Sequence, residues 1–162
     1  MLTDKMQNAL NTQIREEMDS FYLYLSMATY FDSINLGGFS TWMQTQAKEE
    51  MAHAMKIYNF VNERGGRVTL EGLKTPQAEW DSPLAAFEAA YKHEQFISDC
   101  IHKLVKLSNT EDDLPTHSFL HWFIDEQVEE EASAMDIVDK LNMVGDHKQG
   151  LYMLDRALGE RK

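Results

Sequence analysis

Six residues stand where helical patterning asks for apolar ones: Glu17, Glu50, His53, Glu94, Gln127 and Glu130. Glu50 and His53 are three positions apart, so both project from one helix face. Burying a carboxylate in a helix bundle is costly unless something compensates its charge. None of the six is Lys or Arg, so the missing counter-charge is most simply one or more metal cations. A Glu-x-x-His pair on one bundle helix, with single glutamates from neighbouring helices, is a ligand pattern for two carboxylate-bridged irons or manganeses. Oxygen and imidazole donors without thiolate favour those metals over structural zinc. Taken singly the residues say less. Glu17 has Glu16 beside it, and a lone core histidine such as His53 is more often hydrogen-bonded than metal-bound. The weight lies in six such groups at one depth.

Helices must bring them there. Three- and four-residue spacing gives four long seams. The first, about Thr3 to Asn35, runs Leu10, Ile14, Glu17, Phe21, Tyr24, Ala28, Phe31. The second, about Gly38 to Arg64, runs Phe39, Met43, Gln46, Glu50, His53, Ile57, Phe60. The third starts at Ser82-Pro83 and includes Phe87, Tyr91, Glu94 and Ile101; the fourth, about Thr116 to Val144, includes Leu120, Phe123, Gln127, Glu130 and Ile137. Thr3 and Ser82 are expected N-caps, and Gly37 is expected in the left-handed turn closing the first helix. Short breaks pair helices one with two and three with four. The 18 residues from Gly65 to Ser82, extended at about 3.3 Å each, can run the length of a 27-residue helix, about 40 Å. Val68-Thr69-Leu70 is expected to be extended within that crossover without forming a strand pair. The expectation is one all-α domain over 1–162: a four-helix bundle over about 3–144 with one long crossover, and a short fifth helix at about 148–160. That last helix is too short to stand alone and must dock on the bundle or on another subunit.

An internal repeat supports the placement. Glu17 and Glu50 are 33 residues apart, as are Glu94 and Gln127. A shift of 77 residues carries Glu17 onto Glu94, Glu50 onto Gln127, His53 onto Glu130 and Glu49 onto Glu126. The halves differ, because Gln127-x-x-Glu130 replaces Glu50-x-x-His53.

Composition narrows the classes. The net charge of −12 argues against nucleic-acid binding and for attraction of cations. The apolar fraction of 43% is too high for a disordered acidic chain. One cysteine, Cys100, excludes an intrachain disulfide framework and fits a reducing compartment. No targeting sequence or membrane-spanning run is visible, so a cytoplasmic location is expected.

Glu49-Glu50-Met51-Ala52-His53, Tyr91-Lys92-His93-Glu94 and Phe123-Ile124-Asp125-Glu126-Gln127-Val128-Glu129-Glu130-Glu131 resemble the bacterial and archaeal non-haem ferritins. Leu23-Tyr24-Leu25, the crossover and the short last helix fit too. The resemblance implies a cage of twenty-four identical subunits that oxidises Fe(II) with O2 at a diiron ferroxidase centre and stores ferric mineral inside. It implies one iron at Glu17, Glu50 and His53, another at Glu50, Glu94 and Glu130 with Gln127 close by, and Glu50 as bridge. Glu49, Glu126, Glu129 and Glu130 resemble a nearby third iron site, and Tyr24 matches the tyrosine beside the centre. His117 and the acidic turn Glu111-Asp112-Asp113, with His121, fall in the region that lines pores in that family. A solvated helix start is the alternative. His93, His102 and His147 are expected at the surface.

Two rival readings remain at this point. A haem-binding bacterioferritin would use a methionine, and Met51 stands after Glu50. That family carries a second Glu-x-x-His, absent here, so no haem is expected and Met51 reads as packing. The other rival is a cage subunit or helical bundle without oxidation chemistry.

Overall fold

The computed structural model describes residues 1–162 as five helices and no strands. They are α1 (Asp4–Ser33), α2 (Gly37–Glu63), α3 (Pro83–Thr110), α4 (Leu114–Val144) and α5 (Lys148–Leu158). The starts follow from local hydrogen bonding. Thr3 Oγ1 accepts from Met6 N at 3.2 Å, and Ser82 Oγ accepts from Ala85 N at 3.0 Å with Pro83 in the first turn. α4 begins earlier than the sequence suggested, because Asp113 caps it by accepting from Thr116 N at 3.1 Å.

Three helix ends share one device. A residue with positive φ closes each of α1, α2 and α3: Asn35 at 61°, Gly65 at 74° and Asp112 at 53°. Each is followed by an N–H that reaches back over the last turn, such as Leu36 N to Phe31 O at 3.0 Å. Gly37 therefore does not close α1. Asn35, whose short polar side chain tolerates the left-handed region, does so, and Gly37 opens α2.

Apolar clusters give the directions. Met6, Val61, Leu104 and Leu120 meet at one end of the bundle; Phe31, Phe39, Phe87 and Leu141 meet at the other. α1 and α4 thus run one way, α2 and α3 the other. The 64–82 segment carries the chain between the ends without strand structure. It is tied to α1 by Asn11 Nδ2 to Arg67 O at 3.0 Å and by Lys74 N to Asp19 Oδ1 at 2.8 Å. Trp80, buried at its end, packs edge-on to Tyr30.

α5 docks on this chain. Leu154 and Leu158 join the apolar cluster at the Phe31 end. Its Asp155 carboxylate accepts from Gly38 N at 2.8 Å and Phe39 N at 3.0 Å, capping α2, which has no side-chain cap beside it. Gly38 permits the approach: a Cβ there would lie 1.6 Å from Asp155 O. No helix is long and apolar enough to cross a membrane.

Candidate metal centre

The two apolar clusters leave a polar layer between them. Glu17 from α1, Glu50 and His53 from α2, Glu94 from α3 and Gln127 and Glu130 from α4 are all buried there. One ligand atom each from Glu17, Glu50 and His53 lies within 4.8 Å of the others. The same holds for Glu50, Glu94 and Glu130, and for His53, Glu126 and Glu130. Glu50 is common to the first two groups, and so lies between two potential ion positions.

Hydrogen bonds fix the carboxylates from behind. Gln13 Nε2 donates to Glu17 Oε1 at 2.9 Å. Gln46 Nε2 donates to Glu50 Oε1 at 2.9 Å and to Glu130 Oε2 at 2.6 Å. The Tyr24 hydroxyl donates to Glu94. Gln127 Nε2 reaches Glu94 Oε2 at 3.1 Å and Ser98 Oγ at 3.2 Å. Gln127 therefore presents its amide nitrogen, and holds Glu94 rather than offering an oxygen to an ion. His53 Nδ1 sits 3.2 Å from Glu50 Oε2 and 3.9 Å from Glu17 Oε2. The Glu17 Oε2 atom is buried with no hydrogen-bond partner. An orphaned acceptor facing an imidazole and a second carboxylate is what a cation position looks like without its cation.

Electrostatics agree. Burial, then Glu50, holds the Glu17 carboxyl well above the usual carboxylate range. Burial followed by Glu94 and Glu130 does the same to Glu50. Burial raises Glu94, against the hydrogen bonds from Tyr24 and Gln127. Burial with Glu94 pushes Glu130 up to about 8. The Tyr24 hydroxyl is raised by burial, then by Glu94 and Glu50. Four carboxyls that resist ionising together are stabilised as carboxylates only by added positive charge.

The other expected residues divide. Glu126 lies with its Oε1 3.7 Å from His53 Nε2. Glu49 is half-exposed and paired with Arg161 at 2.9 Å, and Glu129 points to solvent. Met51 is half-buried. His117 and His121 face each other at 3.1 Å between ring nitrogens at an exposed site. In the acidic turn, Asp113 caps α4 and pairs with Arg64 at 3.0 Å, while Glu111 accepts from Thr3 Oγ1 at 2.9 Å. His93 is a correction: it is half-buried, not a surface residue, with Nε2 2.7 Å from Ser20 Oγ. Its place next to Glu94 turns it inward against α1, and burial lowers its pKa to about 4.

Seam reasoning missed Gln13, Ser98 and Arg161. A signal for the first existed: Gln13 and Gln46 each precede a seam glutamate by four residues and are themselves 33 apart. Ser98 follows Glu94 by four residues but is an ordinary small polar residue by type, and Arg161 lies beyond the last helix.

Comparison with known proteins gives one answer. The ferritin-like domain family matches residues 7–144. A bacterial non-heme ferritin of Bacteroides fragilis is 41% identical over 161 residues, 99% of this chain and 100% of that protein. One from Campylobacter jejuni is 40% identical over 158 residues, 98% of this chain and 95% of that protein. The open-pore ferritin of the hyperthermophilic archaeon Archaeoglobus fulgidus superimposes with a TM-score of 0.99 at 54% identity, each chain covered to 100%.

Proposed function

The chain belongs to the ferritin family, and on that footing we propose that it oxidises Fe(II) with O2 inside each subunit and passes the ferric product to storage within a shell of many copies. Iron storage is the function the family and the non-heme relatives support. The observation that carries the oxidation step is Glu50, common to two buried ligand groups, with Glu17 Oε2 orphaned beside it.

Iron is the substrate. One Fe(II) would be held by Glu17, Glu50 and His53, its pair by Glu50, Glu94 and Glu130. Hard carboxylate oxygens favour Fe(III) over Fe(II), which makes the pair easier to oxidise. Each iron loses one electron, and together they reduce one O2 to hydrogen peroxide with uptake of two protons, so no one-electron superoxide step is needed. The two positions differ: one has the imidazole, the other carboxylates with Gln127 behind. That asymmetry suits ions that leave after oxidation. Glu126 and Glu130, with Glu49 and Glu129 at the edge, offer a third position on the way out. Tyr24 holds Glu94 through its hydroxyl.

The −12 charge supports cation attraction to the assembled shell, which we take as twenty-four subunits. No haem enters this reading, since the second half lacks a Glu-x-x-His and the relatives are non-heme ferritins. The test is anaerobic Fe(II) titration followed by O2. A fast oxidation phase should saturate near two or three irons per subunit, then give way to slower mineral growth, and Glu50→Ala should remove the fast phase. Absence of any saturable fast phase would favour a purely structural shell subunit, and a fast phase surviving in Glu50→Ala would mean that oxidation does not use the Glu50 position.

A further inference from the structure

Arg161 lies three residues beyond Leu158, the last residue of α5. Here it is held on several sides by one face of α2. Its Nη1 donates to Trp42 O at 3.2 Å, and its guanidinium stacks 4.2 Å from the centre of the Trp42 ring. Its Nη2 donates to Gln46 Oε1 and to Glu49 Oε2, both at 2.9 Å. Only 21% of the side chain is exposed. Gln46 is the residue whose Nε2 holds both Glu50 and Glu130. One amide therefore separates the guanidinium from two carboxylates of the metal centre.

We propose that Arg161 is a tethered cation that latches the third iron position: it occupies Glu49 until iron displaces it, and it positions Gln46 while it is there. This inference rests on the two-iron reading above and on the third position proposed with it. The physical basis is competition. Glu49 Oε2 cannot serve a guanidinium and a metal ion together, so an iron using Glu49 must first release Arg161. The pair is partly exposed, which makes it weak enough to yield to a divalent ion. With its Oε1 engaged by Arg161, Gln46 can present only Nε2 to Glu50 and Glu130. Release of Arg161 removes that constraint, so the amide oxygen is free to turn toward an ion as it moves from the bridged pair to Glu49. In the closed state the centre holds two ions and keeps the third position shut. The latch makes onward movement depend on an incoming ion.

The test is anaerobic equilibrium binding of Fe(II) to the assembled full-length protein and to Arg161→Ala, Arg161→Lys, Glu49→Gln and the Arg161→Ala/Glu49→Gln double variant. Arg161→Ala should still take up two irons before the third, and should bind the third on the order of tenfold more tightly than wild type, as expected on losing one ion pair and one cation–π contact. Arg161→Lys keeps the charge but not the planar fork, and should fall between wild type and Arg161→Ala. In the Glu49→Gln background, Arg161→Ala should no longer tighten the third iron. Third-iron affinity that is unchanged or weaker in Arg161→Ala overturns the latch, as does an Arg161→Ala effect that persists without Glu49. Glu50→Ala run alongside separates the readings. If it loses the first two irons while Arg161→Ala matches wild type at the third, the latch alone fails; if it binds like wild type, the two-iron reading itself fails.

Discussion

The carboxyl of Glu130 condenses the chemistry of the site. Burial, with Glu94 adding to it and Gln46 opposing, pushes it up to about 8, and Glu17, Glu50 and Glu94 are raised as well. At neutral pH the metal-free layer therefore holds protons that ordinary glutamates would have lost. Metal binding needs the carboxylates and must expel those protons. Anaerobic Fe(II) addition should release protons in step with the first two irons at pH 6.5, and far fewer above pH 9. Indicator-dye measurements showing no release at pH 6.5 would contradict the raised carboxyls. Tyr24 acts at the same scale. Its hydroxyl holds Glu94, and a hydrogen bond to a charged group is worth about 1.5–3 kcal/mol. Tyr24→Phe should slow the fast oxidation phase by about tenfold or more, with both irons still bound, as stopped-flow absorbance can follow. The buried polar layer was legible because each of its members breaks an apolar seam. Their supports were not: Gln13 reads as an ordinary polar helix residue until Glu17 is seen buried against it, and the direction in which Gln127 turns its amide is settled by Glu94 and Ser98, on another helix.

Among the elements, the long helices were readable from spacing and caps, while their ends depended on partners far away in sequence. Asn35 rather than Gly37 takes the left-handed turn, because the back-reaching bond from Leu36 to Phe31 fixes where the turn falls. α4 starts at Leu114 because Asp113 is both its cap and the partner of Arg64. Within the acidic run, Glu111 and Asp113 are held by partners at the ends of α1 and α2 as well as by the turn between α3 and α4. The start of α2 is the clearest case: its cap, Asp155, sits 117 residues downstream of Gly38 on α5. No local signal could announce it, though Gly38 carries the matching requirement, a surface with no side chain. Replacing an N-cap costs about 0.5–2 kcal/mol, and here the loss also loosens α5. Asp155→Ala should therefore speed amide exchange at Gly38, Phe39 and along α5, with little change at the centre of α1. Exchange unchanged at Gly38 would remove Asp155 as the cap.

At the scale of the whole molecule, two opposed demands are built into one bundle. The apolar clusters at its ends hold the helices together, and the layer between them keeps carboxyls in an environment that suits the protein only when they carry protons or metal. The consequence for stability has a definite sign. A group with a raised folded-state pKa binds its proton more tightly folded than unfolded, so its contribution is full below the unfolded value and vanishes as pH rises through the folded one. For Glu130 that window runs from the ordinary 4.5 to about 8, and Glu17, Glu50 and Glu94 act in the same direction. Asp113 works the other way: burial would raise it, but hydrogen bonds from Thr116 and Arg64 win and lower it, so its contribution is lost only in acid, as pH falls through its depressed value. Metal-free protein should accordingly lose stability between about pH 5 and 8, where most proteins are at their most stable. A redox-inert divalent ion should restore it, because a ligand that binds only the folded state stabilises by mass action. Thermal unfolding of chelator-treated protein across that range, with and without Zn(II), tests this. The melting temperature should fall with pH in the metal-free series, and the gain from Zn(II) should grow as the pH rises. A flat metal-free profile would mean that the layer already carries its charge, compensated from within the chain.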